Sequence, residues 1–468
     1  MDPGPTENHR PLACELGKPP ARPACSAQLL GPAMPRTIPC CERGVSSDLQ
    51  KGRLGMAAET AVIGQSGGPT AVINQSLVGV IEGLQEAFKP RAAGGGGTLR
   101  ILGMRHGVRG LVAGDLVELG GISRERLDAI ADTPSAALGS TRDKPDKAYC
   151  EKIAQASKDA GARYFFYIGG NDSSDTARIV SEFARNARYD LRCFHVPKTV
   201  DNDLMENDHT PGFPSAARYV ATAFLADSLD NISLPGIKIN VVMGRHAGFL
   251  TAASALARAP LNGSPSGRAT GPHLIYLPEV PFDTGRFVEE VRGVYARLGR
   301  CQVAVSEGIM DASGTPIGAS LIAGEKDAHG NVQLSGSGAL GDQLADLIKK
   351  RITDAKGKPA RVRADTLGYL QRCWPDASAV DKSEAREAGR QAALAAAEGV
   401  TSTSIAIKRT STQGEAYMSE CARVPLEAIA AKTRHVPNEF ISGTSDVSRA
   451  FIEYCAPLVG RLPEVAGV

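Results

Sequence analysis

The chain has 468 residues, 42% of them hydrophobic and 22% charged, so it is long enough to form two or more domains with their own cores. The formal net charge of +2 gives no reason to expect nucleic acid or an anionic membrane as a partner. No apolar segment approaches the roughly 20 residues of a membrane helix, and the ten cysteines show neither a Cys-x-x-Cys pair nor zinc-ligand spacing, which together predict a cytoplasmic protein.

The first part of the chain, residues 1–56, is rich in proline and shows no hydrophobic periodicity, so it is predicted to be disordered. The fold is predicted to begin at Thr60, with a short buried strand at Ala61–Ile63 and a helix at Ala71–Phe88. Gly67 and Gly68 lie in the turn between them. Glycines at such a junction let backbone amides approach an anion at the helix amino terminus.

Two further strands are each followed by polar residues. The apolar segment Tyr164–Ile168 leads into Gly169-Gly170-Asn171-Asp172, with a helix expected from near Asp175. The apolar segment Leu191–Val196 leads into Pro197-Lys198-Thr199-Val200-Asp201-Asn202-Asp203. Asp-Asn-Asp alone is ordinary turn composition, so it indicates a functional site only in combination with the other motifs. If these strands are adjacent and parallel, both motifs lie on one edge of a sheet.

The second half of the chain repeats the alternation of strands and helices. Strand Ile237–Val242 precedes Met243-Gly244-Arg245, and a strand at Val303–Gly308 carries Glu307 near its end. Arg363, Tyr369 and Arg372 follow within ten residues. The alternation predicts the α/β class, with two doubly wound, Rossmann-like parallel-sheet domains that face each other across a cleft.

The candidate side chains suit phosphoryl transfer to an alcohol. Asp201 is a candidate general base and Asp203 a second acid, while cations occur in both halves of the chain: Arg142, Lys198, Arg245, Arg363 and Arg372. Arginine binds phosphate in a bidentate manner and lysine acts as a point charge, so two phosphate-bearing ligands are predicted to meet at the carboxylates. An aspartate can accept the proton of an attacking hydroxyl in such a reaction.

Six motifs in this order resemble the 6-phosphofructokinase family, and its diphosphate-dependent branch in particular: GGPTAVIN (67–74), GGNDS (169–173), PKTVDND (197–203), MGR (243–245), SEG (306–308) and GYLQR (368–372). The resemblance implies a phosphofructokinase-like fold. The expected domains are 57–212 plus 372–425 for diphosphate and Mg²⁺, and 213–371 plus 426–468 for the sugar phosphate. The implied reaction is diphosphate-dependent phosphorylation of D-fructose 6-phosphate at O1 by a homodimer or homotetramer.

The resemblance also implies roles for individual residues. Asp201 matches the base, and Lys198, Asp172 and Asp203 are expected to assist it. The implied diphosphate ligands are Gly67, Gly68, Arg142 and Lys198. The implied sugar-phosphate ligands are Thr199, Asp201, Met243, Gly244, Arg245, Glu307, Arg363, Tyr369 and Arg372. Glu279 is interpreted as structural, because Glu307 fits the sugar-binding acid better.

Two positions indicate which phosphoryl donor is used, and two others differ from the pattern of the family. ATP-dependent relatives have glycine where Asp172 and Lys198 stand, so a carboxylate that fills the nucleotide space and an added cation favour diphosphate over ATP. Asn171 replaces an acid linked to Mg²⁺, so the metal is expected to rely on Asn171, Asp172 or Asp203. Gly236 occupies the position of an arginine that crosses between subunits in many relatives. The alternatives are an ATP-dependent 6-phosphofructokinase and a non-catalytic regulatory subunit.

Overall fold

The computed structural model describes residues 59–89, 99–144, 146–259, 270–317, 339–354, 356–412 and 414–466. The disorder predicted for residues 1–56 lies outside these ranges.

The strands of the described residues are, in chain order, β1 (Thr60–Gln65), β2 (Arg100–Met104), β3 (Leu116–Glu118), β4 (Ala162–Gly169), β5 (Arg192–Pro197), β6 (Ile237–Val242), β7 (Leu274–Tyr276), β8 (Cys301–Ser306), β9 (Val362–Thr366), β10 (Ser402–Arg409), β11 (Ser419–Val424), β12 (Ile441–Ser442) and β13 (Asp446–Val447).

The helices are α1 (Ile73–Ala87), α2 (Val108–Ala113), α3 (Arg124–Ala131), α4 (Lys147–Asp159), α5 (Asn171–Asn186), α6 (Phe213–Ser233), α7 (Phe249–Ala253), α8 (Thr284–Leu298), α9 (Ala339–Arg351), α10 (Ala379–Ala397), α11 (Leu426–Ile429) and α12 (Arg449–Val459). Short 3₁₀ helices occur at Ser254–Ala257, Gly368–Gln371 and Asn438–Phe440.

Within the described residues, seven strands form one sheet in the order β11-β10-β5-β4-β1-β2-β3. Its central pairs are parallel, while β3 and β11 are antiparallel edge strands. Successive residues of β4 belong to different cores: Phe166 packs with residues of α1 and α10, and Phe165 packs with residues of α4 and α5. Helices therefore cover both faces, which is why the central strands are apolar throughout.

The second sheet has four strands in the order β7-β8-β6-β9, and all of its described pairs are parallel. Val303 of β8 and Val291 of α8 pack in one core with Leu344 of α9, while Ala304 packs in another core with Phe249 and Phe451. The α/β class with parallel sheets that the sequence predicts is confirmed. The domain boundaries remain a prediction.

Some elements differ from the sequence-based expectation. The helix expected from near Asp175 begins at Asn171, so Asn171 and Asp172 lie in the first turn of α5. Gly170 is its N-cap and supplies no side chain, which is why the cap could not be recognised by composition. The sequence after Gly248 predicts a single helix as far as Arg258, whereas the structure has the short α7 followed by a 3₁₀ turn.

Helices α1 and α10 approach closely through glycines. A Cβ atom added at Gly79 would lie 2.0 Å from the carbonyl oxygen of Arg386, and one added at Gly389 would lie 2.2 Å from that of Ser76. The two helix backbones are therefore in direct contact, and neither position tolerates a side chain. The early helix of the chain is thereby packed against a late one.

A search of the described helices finds none with the length and apolar content needed to span a bilayer.

Candidate active site

The carboxyl ends of β1, β4 and β5 meet at one edge of the seven-stranded sheet. Beyond β1, the Ser66 amide donates to the Ile168 carbonyl over 2.9 Å, and the Gly67 amide donates to the Thr141 carbonyl over 2.9 Å. The Lys198 amide donates to the Gly169 carbonyl over 3.0 Å. These backbone bonds bring together the first glycine turn, the segment before Arg142 and both motifs that follow β4 and β5.

Lys198 is buried within this group. Its Nζ donates to the Gly68 carbonyl over 2.9 Å, and a Cβ at Gly67 would lie 3.0 Å from the same Nζ. Burial, followed by the positive charges of Arg372 and Arg142, lowers the pKa of Lys198 to about 7, although the charge of Asp201 opposes this. An incoming anion would reverse these effects and hold the ammonium in its charged form.

Asp201 lies at the centre of the charged residues. Its amide donates to the Thr199 Oγ1 over 3.1 Å, and its Oδ1 is buried without a hydrogen-bond partner among the described residues. Burial and then the charge of Asp201 raise the pKa of Asp203 and of Glu307 to about 7 each. A buried carboxylate oxygen with no partner is the feature that a base for a substrate hydroxyl requires.

Asn171 and Asp203 form a second oxygen-rich group. The Asn171 Nδ2 donates to the Asp203 Oδ2 over 2.9 Å, which fixes the amide so that its Oδ1 is the free acceptor. That Oδ1 is buried and has no partner among the described residues, like the Oδ1 of Asp201. Unpartnered amide and carboxylate oxygens are the ligand type that Mg²⁺ takes, so these residues fit the ion. The described part of the chain contains no cluster of three or more His, Cys, Asp or Glu suited to a metal.

Asp172 lies at the outer edge of the same group. It is in the first turn of α5, its side chain is 61% exposed, and its Oδ1 lies 3.6 Å from the Nζ of Lys144. A carboxylate at this place is favoured by the helix dipole. Lys144 was not among the residues singled out from the sequence, although it follows Arg142 by two positions.

Asn202, between the two aspartates, has a left-handed backbone with φ of 59°. Its Oδ1 accepts from the Thr210 amide over 3.0 Å, and its Nδ2 donates to the hydroxyl of Tyr454 over 2.9 Å. Asparagine tolerates this conformation better than most residues, a signal that was present in the sequence. No sequence pattern connects Asn202 to Tyr454, which is 252 positions away.

The second sheet contributes the segment 243–245. The Met243 amide donates to the Oε1 of Gln371 over 3.3 Å, and Gly244 has φ of 134°. A Cβ at Gly308 would lie 2.0 Å from the Arg245 carbonyl oxygen, so glycine there lets the two backbones touch. The Arg245 Nε lies 3.8 Å from the Oε1 of Glu307. Gly308 and Gln371 are thus supporting residues that were not singled out from the sequence.

Arg372 connects the two sheets. Its guanidinium carbon would lie 2.9 Å from a Cβ at Gly68, and it lies 4.4 Å from the ring centroid of Tyr369. Burial and the charge of Arg142 lower the pKa of Arg372, while the charge of Asp201 raises it. The arginine that the resemblance assigns to the 6-phosphate therefore lies beside the first glycine turn. Its role at the 6-phosphate remains a prediction.

Arg363 has no described contact with the residues around Asp201. It is exposed on β9, its Nη1 donates to the carbonyl of Val362, and its register partner is Lys238 of β6. The Nζ of Lys238 is paired with Asp227 and Asp230 of α6. Nothing in the described part of the structure brings Arg363 to Asp201. Glu279 accepts from the amides of Gly248 and Val436, in keeping with a structural role.

Comparison with known proteins identifies the class to which this fold and this site belong. The Phosphofructokinase family matches residues 60–396. The chain belongs to the phosphofructokinase family.

Individual relatives resemble most of the chain. A pyrophosphate–fructose 6-phosphate 1-phosphotransferase of Rhodospirillum rubrum is 53% identical over 403 residues, which cover 86% of this chain and 94% of that protein. An enzyme of the same name from Halomonas elongata is 36% identical over 415 residues, covering 86% and 92%. The crystal structure of a pyrophosphate-dependent phosphofructokinase from Nitrosospira multiformis has a TM-score of 0.72 at 32% identity, covering 87% of this chain and 93% of that one.

Proposed function

We propose that this protein transfers a phosphoryl group from diphosphate to O1 of D-fructose 6-phosphate and forms fructose 1,6-bisphosphate and phosphate. The observation that carries the proposal is the buried, unpartnered Oδ1 of Asp201. The charge of Asp201 acts on four residues from three different segments: Lys198 and Asp203, Glu307, and Arg372. A single carboxylate thus adjoins both the anion-binding turns and the segments matched to the sugar phosphate.

Asp201 acts as the general base. As O1 attacks the terminal phosphorus of diphosphate, its proton passes to Asp201, the new O1–P bond forms and the bridging P–O bond breaks, so that phosphate leaves. The proton transfer contributes roughly 10²–10⁴-fold to the rate. Thr199 supports the base, because its Oγ1 accepts from the Asp201 amide over 3.1 Å.

Diphosphate is the donor because of Lys198 and Asp172. Lys198 places an ammonium 2.9 Å from the carbonyl of Gly68, where the resemblance locates the donor phosphates together with Gly67 and Arg142. Asp172 adds a carboxylate at the edge of that region, and it repels the additional phosphate of a nucleotide. Lys144 lies 3.6 Å from Asp172 and partly neutralises it.

Mg²⁺ fits the oxygen group of Asn171 and Asp203. The unpartnered Oδ1 of Asn171 would hold the ion, with the Asp203 carboxylate held beside it by the Asn171 amide. When bound, the ion neutralises the charge of diphosphate. Asp172 is mostly exposed and is a weaker candidate ligand.

The sugar phosphate is bound by the segments of the second sheet. Met243, Gly244, Arg245 and Glu307 contact the sugar, and Tyr369 and Arg372 hold its 6-phosphate. Arg363 contributes only if another part of the assembly places it there, and we propose a homodimer or homotetramer on family membership. The cysteines of the described ranges are free thiols, which supports a cytoplasmic location.

Donor-swap kinetics test the proposal. Purified protein is assayed with fructose 6-phosphate and Mg²⁺, with diphosphate or ATP as donor, and product is measured as fructose 1,6-bisphosphate. Turnover with diphosphate and little with ATP is expected. Turnover with ATP alone would identify an ATP-dependent enzyme, and binding of sugar phosphate without turnover would identify a regulatory subunit.

A further inference from the structure

The loop that carries Asp201 and Asp203 is held from the carboxyl-terminal helix α12. Between the two acids, Asn202 is fully buried and uses both ends of its side chain, as an acceptor for the Thr210 amide and as a donor to Tyr454. The loop is also closed on itself, since the Thr210 hydroxyl donates to the Thr199 carbonyl over 2.8 Å. Asn202 is therefore the point at which α12 contacts the aspartate pair.

The hydroxyl of Tyr454 is fully used in this contact. It accepts from the Asn202 Nδ2 over 2.9 Å and donates to the Asp208 carbonyl over 2.8 Å. A phenol has one proton to donate, so this arrangement satisfies it. The loop has a second anchor, because the Arg434 amide donates to the Asp203 carbonyl over 2.8 Å.

We propose that Tyr454 is a positioning residue for phosphoryl transfer. Its hydroxyl holds the side chain of Asn202, and Asn202 in turn sets the direction of the neighbouring Asp201 carboxylate. Within the described residues, the hydrogen bonds of the Tyr454 hydroxyl go to Asn202 and Asp208, and neither of these is matched to substrate binding. The inference rests on the proposed role of Asp201 as the base.

Loss of the hydroxyl would leave a buried amide without an acceptor. Asn202 would then have to move to find one, and its left-handed backbone is unusual for a residue other than glycine. A misplacement of about 1 Å in a reacting group lowers turnover by about 10²-fold. The arginines matched to the substrate phosphates, Arg142 and Arg372, lie in other segments, so the loss is expected in kcat rather than in KM.

The first test is Tyr454→Phe, which removes only the hydroxyl. We expect kcat to fall by about 10- to 100-fold, with the KM values for fructose 6-phosphate and diphosphate close to those of the unaltered protein. Tyr276→Phe is the matched control, because Tyr276 is also buried and loses a hydroxyl bond, to Glu290 over 2.5 Å in the second sheet. It is expected to leave kcat unchanged.

A second variant separates positioning from folding. Asn202→Gly keeps the left-handed backbone available while it removes the side chain that Tyr454 holds. We expect it to lower kcat as Tyr454→Phe does, and we expect the double variant to be no slower than Asn202→Gly alone, since both changes remove the same contact.

The outcomes separate this inference from the assignment of the base. If Asp201→Ala abolishes turnover but Tyr454→Phe or Asn202→Gly retains normal kcat, Tyr454 does not position the base. Additive losses in the double variant, or a rise in KM with unchanged kcat, would overturn the inference in the same way. If Asp201→Ala itself retains turnover, the base has been assigned wrongly.

Discussion

The Nζ of Lys198 donates to the carbonyl oxygen of Gly68 over 2.9 Å, so the residue that follows β5 reaches the turn that follows β1. Burial of the ammonium, followed by the charges of Arg372 and Arg142, lowers its pKa. Such a concentration of positive charge suits a compact, highly charged anion.

Replacing Lys198 and Asp172 with glycine should change the donor. In Asp172→Gly/Lys198→Gly, we expect kcat/KM for diphosphate to fall by roughly 10- to 100-fold, because a charged hydrogen bond is lost, and turnover with ATP to appear. Initial rates with each donor measure both effects. Asp190→Gly is the control, since Asp190 is similarly exposed, at 62% against 61% for Asp172. Unchanged donor preference in the double variant would contradict the assignment.

Asp201→Asn should remove the base while keeping the size of the side chain. We expect kcat to fall by about 10²–10⁴-fold, whereas fructose 6-phosphate still binds because its phosphate ligands are unchanged. Steady-state kinetics and calorimetric titration of the sugar phosphate provide the two measurements. A variant that turns over within tenfold of the original protein would show that the proton goes elsewhere.

Asn171→Leu should weaken the use of Mg²⁺. The substitution removes the buried Oδ1 and also the amide that holds Asp203, so we expect half-maximal activation to need about 10- to 100-fold more Mg²⁺. Activation curves at fixed diphosphate test this, along with direct titration of Mg²⁺. Asn186→Leu, at the other end of α5, should leave the curve in place. If the activation curve of Asn171→Leu superimposes on that of the unaltered protein, Asn171 is not a Mg²⁺ ligand.

Gly308→Ala should impair the sugar side of the site. The added Cβ would lie 2.0 Å from the carbonyl oxygen of Arg245, so one backbone must shift. We expect KM for fructose 6-phosphate to rise several-fold and the free energy of unfolding to fall by about 1–3 kcal/mol. Gly293→Ala in α8, where an added Cβ meets nothing within 4 Å, is the control. An unchanged KM would mean that Arg245 does not depend on this contact.

The stability of the protein should fall at alkaline pH through His209. Burial lowers the pKa of His209, but hydrogen bonds to Asp208 and Glu384 outweigh burial and raise it to about 9. Because this exceeds the ordinary value of 6.5, the stabilisation is fully present below pH 6.5 and is lost as the pH rises through about 9. The difference between the ordinary pKa of His209 and its pKa in the folded protein corresponds to roughly 3 kcal/mol in the free energy of unfolding.

Comparison of Tm at pH 6.5 and above 9 tests this prediction. His209→Gln should be less stable than the unaltered protein at pH 6.5 and should lose less stability on alkalinisation. His273→Gln is the control, since burial chiefly lowers the pKa of His273 to about 4 and this group does not titrate in the window. Parallel pH profiles for His209→Gln and the unaltered protein would contradict the assignment.

Local patterns predicted much of the framework. The apolar segments at 61–63, 164–168 and 237–242 lie within β1, β4 and β6, since buried parallel strands are continuous apolar runs with sharp polar ends. Because neighbouring parallel strands end together, the ends of β4 and β5 also predicted that Asn171 and Asp201 lie at one edge of the sheet.

Long-range contacts were beyond the reach of the sequence. Helix α6 carries buried residues along most of its length, so it shows little of the periodicity by which a surface helix is recognised. The bonds from Tyr454 to Asn202 and from Lys198 to Gly68 depend on how distant segments pack, and composition carries no trace of either. Arg363 is matched to the 6-phosphate by the resemblance, yet its contacts within the described residues are with Val362 and, by strand register, Lys238 rather than with Asp201.

The close packing of α1 against α10 has a consequence for synthesis of the chain. A nascent polypeptide that ends before Ala379 lacks both α10 and β10, so α1 and β5 have exposed apolar surface until those residues leave the ribosome. The first sheet to be translated should therefore be completed late. Chains truncated at residue 370 are expected to be cleaved within residues 60–197 by a protease that spares the full-length protein, and resistance of the truncated chain would show that this region folds without its later partner.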